Sequence, residues 1–121
     1  MSTILGRFYF KLTDNKNLIG EFSNDHKTCK RNYTESADLT HREQNDGKFI
    51  GEYFSTWREQ NGGKLHESVL AKLKIEQKPG CENIFDLKWW RIVNEQPEAK
   101  PFFCGEGMLC EGMLIGNYQV C

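Results

Sequence analysis

Three stretches of this chain repeat one short pattern: Ile19-Gly20-Glu21-Phe22, Ile50-Gly51-Glu52-Tyr53 and Ile115-Gly116-Asn117-Tyr118. Each sets a glycine two residues before an aromatic. In an extended strand successive side chains point to opposite faces, so the glycine and the aromatic share a side. The fullest case is residues 48–59. There Phe49, Gly51, Tyr53, Ser55 and Trp57 fall on one side, and Lys48, Glu52, Thr56 and Arg58 fall mostly on the other. A period of two over that length marks a half-buried strand. Glycine inside a strand weakens a flat sheet, so its repeated use points to sharp bends in a curved one.

The same period recurs along the chain. Residues 6–12 place Phe8, Phe10 and Leu12 together, a turn-forming run at 13–17 follows, and residues 18–23 return as a hairpin partner. Residues 24–32 read as a polar loop. Within 33–44, Ala37, Leu39 and His41 alternate with Asp38, Thr40 and Arg42, which suggests a third strand, with a short helical turn as the competing reading. Asn45-Asp46-Gly47 and residues 60–63 are turn signals. Residues 64–78 and 84–93 alternate again, with Pro79-Gly80 between them, and residues 94–100 form a loop. Residues 101–110 and 113–121 make the last pair, joined through Glu111-Gly112.

This amounts to about eight strands joined in sequence, which makes neighbours antiparallel. Eight such strands leave two exposed edges unless the sheet closes on itself. The predicted fold is therefore all-β: one domain over residues 1–121, an eight-stranded antiparallel up-and-down β-barrel, with a β-sandwich as the alternative. A small barrel of this kind can hold one small ligand.

Composition narrows the partners. The net charge is −1 and the pI about 6.3, which argues against a general nucleic-acid binder. No segment is apolar and long enough to span a membrane as a helix, and residues 1–12 lack a signal-peptide pattern, so a cytoplasmic protein is expected. The five cysteines fall in no metal or redox spacing and read as free thiols in that compartment. No metal or other cofactor is expected: His26 and Cys29 near Asp25 form no finger spacing, and Gly105-Glu106-Gly107 is not a phosphate loop.

At Gly51, Tyr53 and Ser55 the chain resembles the calycin group of lipocalins, avidins and fatty-acid-binding proteins, and most of all the avidin-type strand motif Gly-x-Tyr-x-Ser. The resemblance implies a ligand-holding barrel in which Tyr53 and Ser55 face inward and hydrogen-bond the ligand. The first strand departs from that motif, reading Gly6-Arg7-Phe8, and the last strand has no Asp.

With Tyr53 inward, Phe8, Phe10, Phe22, Phe49, Trp57, Leu73, Phe85 and Trp89 line an apolar interior, and His41, Ser55, Glu67 and Arg91 join them on that face. Apolar walls with a few convergent polar groups describe a small-molecule site. The expected ligand-binding residues are Tyr53, Ser55, Trp57, Trp89, Arg91, Glu67 and His41, with Arg91 suited to a carboxylate or phosphate. No catalytic residue is assigned. The expected function is non-enzymatic binding of a small hydrophobic or amphipathic molecule. One alternative is an interaction module or homo-oligomer using outward Ile19, Ile50, Phe54, Trp90, Ile92 and Ile115. Another is a barrel enzyme using His41, Glu67 and Arg91.

Overall fold

The computed structural model describes residues 4–24, 32–40, 48–59 and 67–121. Nine strands follow in chain order: β1 (Ile4–Leu12), β2 (Leu18–Asn24), β3 (Asn32–Leu39), β4 (Gly51–Glu59), β5 (Glu67–Gln77), β6 (Ile84–Val93), β7 (Gln96–Pro97), β8 (Phe103–Cys110) and β9 (Met113–Val120). They hydrogen-bond in the order β5-β4-β3-β2-β1-β9-β8-β6-β7, and β5 also pairs with β6. That last pairing closes the sheet, so eight strands form an antiparallel up-and-down barrel rather than a sandwich. β7 is a two-residue addition to β6, inside the stretch expected to be loop.

The alternation selects the faces. Phe8, Phe10, Leu18, Phe22, Ala37, Phe49, Tyr53, Trp57, Leu73, Ile75, Phe85, Leu87, Trp89, Leu114 and Tyr118 are all buried in one cluster. Charged side chains such as Arg7, Lys11, Asp38 and Glu106 stand outside or between. Residues 32–39 form a strand, which decides against the helical turn. Part of the stretch expected to continue it, 41–44, lies outside the described residues, as do the turns expected at 45–47 and 60–63. Ile50, expected on the outer face, instead packs half-buried against the core, because β4 begins only at Gly51.

The glycine pattern has a steric cause. A Cβ on Gly20 would lie 1.8 Å from the carbonyl oxygen of Tyr9 on β1, so only glycine permits that close approach where the sheet curves. At the other extreme of tightness, Glu111 and Gly112 both hold positive φ, 50° and 79°, which is the two-residue turn joining β8 to β9.

The free-thiol expectation is corrected in part. Cys104 and Cys121 form a disulfide with Cα atoms 5.1 Å apart, while Cys81 and Cys110 are free. β8 and β9 are hydrogen-bonded neighbours, with Phe103 opposite Val120, so the chain end falls beside Cys104. Sequence spacing could not show this, because the two cysteines meet only through that register.

Candidate functional site

The barrel has two unlike ends. One carries the connections 13–17, 78–83 and 111–112; it is called here the turn end. At the other lie the beginnings of β1, β3, β5 and β8 and the end of β9. That end is aromatic. The rings of Phe22, Trp57, Phe103 and Tyr118 form a closed circuit with centroid separations of 6.2, 6.4, 5.4 and 6.2 Å. Trp89 joins it through Tyr118 at 6.3 Å, and Phe8 joins Trp89 at 5.8 Å. Most of these pairs meet edge to face, which suits the ring quadrupoles.

Below these rings sits Glu35, a buried carboxyl at mid-barrel. β3 places it there because it lies two residues before inward Ala37, opposite Trp57 on β4 and Gly20 on β2. Its Oε2 accepts a hydrogen bond from the Ser55 hydroxyl and another, of 3.0 Å, from the Trp89 indole N–H, which reaches across the interior from β6. Oε1 has no hydrogen-bond partner among the described residues, and no cationic side chain among them pairs with the group. Burial pushes the Glu35 pKa up to about 7, and the two donors only partly counter that, by favouring the charged form. The side chain is 6% exposed, as is that of Trp57, with Phe22 at 9%; Phe10, Leu18, Tyr53, Leu73 and Leu114 at or near the turn end are at 0%.

Ser55 and Trp89 therefore meet on one carboxyl oxygen, and Trp57 lies opposite Glu35 in the β3–β4 register. Tyr53 is buried deeper, nearer the turn end, where its hydroxyl donates to the Phe49 carbonyl at 2.7 Å. Arg91 lies one inward step beyond Trp89 on β6, half-buried, with its guanidinium stacked 4.1 Å over Phe102. Glu67 begins β5 at the aromatic end, opposite Glu59. His41 lies outside the described residues. Among the described residues no group of His, Cys, Asp and Glu could hold a metal ion.

Glu35 was missed in the sequence, although a signal existed. The alternation of Ala37 and Leu39, extended one step back, lands on it. A charged residue in a polar run looks like a solvated face, and only the closed barrel turns that position inward. Comparison of the chain with protein-family models, curated proteins and solved structures finds no match.

Proposed function

We propose that the protein is a non-enzymatic binder of a small, partly apolar molecule held in the aromatic half of a calycin-like barrel. The observation that carries this reading is Glu35: a buried carboxyl, held by two donors on one oxygen, with its other oxygen unpartnered inside an aromatic wall. A barrel filled only for stability gains nothing from such a group, since burying a polar atom without a partner costs about 1–3 kcal/mol. Ser55, Trp57 and Trp89 orient the carboxyl and the ligand's rings or chains. Arg91, Glu67 and Tyr53 are assigned lesser parts in that binding. The apolar inside and charged outside support a carrier that works in water, because transmembrane barrels invert that arrangement. Among the described residues no helix is long and apolar enough to cross a membrane. The Cys104–Cys121 pair favours an oxidising compartment over the cytoplasm.

The test is a screen by thermal shift and native mass spectrometry over lipids, haem-like compounds, aromatic acids and amines. A stoichiometric adduct with a raised melting temperature supports binding. Failure of every class removes the reading. A second reading has its own observation. Phe54 and Leu70 are each about half exposed on the outer face, at 52% and 47%, and the β4–β5–β6 register runs from Phe54 across Lys72 to Trp90. That apolar strip supports an oligomerisation module. A strict monomer in sedimentation at high concentration removes it.

A further inference from the structure

We infer that the outer face of β6, β8, β9 and β1 is a self-association surface, on which a second copy of this chain docks about a two-fold axis running between β8 and β9. The inference is independent of the binding reading, and its face is separate from the Phe54–Trp90 strip.

The first observation is a continuous apolar row. β6, β8, β9 and β1 are successive hydrogen-bonded neighbours. Their registers align Ile84 with Met108, Met108 with Ile115, and Ile115 with Tyr9. Each alternates with a buried neighbour in its strand, so all four stand on the outside. The central two are the most open, Met108 at 55% exposed and Ile115 at 40%. One step toward the turn end, exposed Cys110 aligns with half-buried Met113. Single apolar residues on a surface are ordinary, but a contiguous set crossing four strands marks a contact face.

The second observation is charge, and it selects the occupant. On the β6–β8 side, Asp86 and Glu106 align with each other, one step from Ile84 and Met108. The Lys78 ammonium serves both: it pairs with Glu106 at 2.7 Å and also feels Asp86. One negative charge is left over. On the β1 side, Arg7 and Lys11 flank Tyr9, both exposed and neither in an ion pair among the described residues. The acid opposite Tyr9 on β2, Glu21, accepts a hydrogen bond from the Tyr9 hydroxyl. The face is thus acidic at one margin, basic at the other and apolar between.

A face of that kind complements itself. In an isologous contact the same patch serves both partners. A two-fold axis parallel to the strands, between β8 and β9, exchanges the two margins and keeps every row level. It sets Met108 of one copy against Ile115 of the other, Ile84 against Tyr9, and Arg7 against Asp86. Each contact occurs twice, so acid meets base at both margins. An anionic lipid surface, or a partner of one charge, would match only one margin. Four strands make a small face, which suits a reversible dimer.

The experiment is sedimentation equilibrium over micromolar to millimolar protein, on wild type and on four variants that circular dichroism shows to be folded. Wild type should dimerise, and Met108→Lys should abolish the dimer. Arg7→Asp and Asp86→Arg should each weaken it about 10- to 100-fold, since like charges then face each other. The two combined in one chain should restore it, which a merely structural role for either residue would not do. Phe54→Lys should leave it unchanged. A wild type that stays monomeric throughout overturns the inference. So does a dimer lost with Phe54→Lys but kept with Met108→Lys, or a combined charge swap no better than either single variant.

Discussion

The turn end and the aromatic end of this barrel are held together by different means. At the turn end, Phe10, Leu18, Tyr53, Leu73 and Leu114 are wholly excluded from water. The polar groups there are matched: the Asn17 side chain accepts from Leu39 N–H at 3.0 Å, and the Thr40 hydroxyl donates to the Glu52 carbonyl at 3.0 Å. At the aromatic end the rings keep some contact with water and a carboxyl is left half-satisfied. A disulfide at that end ties the last residue of the chain to β8. The difference teaches where the barrel's stability is placed. Dense apolar packing at one end lets the other carry a group that costs stability, and such local violations of packing rules tend to mark functional sites.

The comparison breaks first on core truncation. Phe10→Ala should cost about 3–5 kcal/mol in denaturant unfolding, as deep aromatic truncations do. Phe103→Ala, at the half-buried aromatic end, should cost clearly less. Equal losses would mean that both ends pack alike.

The covalent tie comes next. Replacing Cys104 and Cys121 together by serine should destabilise by about 3 kcal/mol, the scale for a loop closed over 17 residues. The denatured, unreduced protein should show no more than three of its five thiols to a thiol reagent. Five reactive thiols would remove the tie.

Glu35 sharpens the contrast through pH. Its pKa rises from 4.5 unfolded to about 7 folded. Below about 4.5 both states hold the proton and the group imposes no penalty. As pH rises from about 4.5 to about 7 the unfolded state loses its proton first, so stability falls, by about 3 kcal/mol at most. Unfolding measured against pH should show this slope in wild type and lose it in Glu35→Gln. A carboxyl in water would leave the two curves parallel.

The smallest effect belongs to the outer surface. Lys78 and Glu106 pair at 2.7 Å, with both side chains about half exposed. Lys78→Ala should change stability by less than about 1 kcal/mol, and added salt should shrink the difference. A larger loss would show that the outside contributes to the barrel as the core does.

The strand rhythm was legible because alternation is local: every buried aromatic expected from residues 8, 10, 22, 49, 57, 85 and 89 is in the core. Ser55, Trp57 and Trp89 were legible as inward for the same reason. Glu35 was not, because its neighbours Thr34 and Ser36 are polar and the strand's apolar members are few. Nor was the disulfide, which needs the register of β8 on β9 to bring a chain terminus beside residue 104.

By itself, then, the sequence determined which side chains share a face and that the strands run antiparallel in order, since both depend on periodicity and turn chemistry within a few residues. Only tertiary structure decided what those faces enclose. Closing β5 on β6 turned one face into an interior, made an ordinary glutamate expensive to ionise, and brought Ser55 and Trp89 from separate strands to the same carboxyl oxygen. The cost of burying charge depends on surroundings assembled from distant parts of the chain, which no local pattern contains.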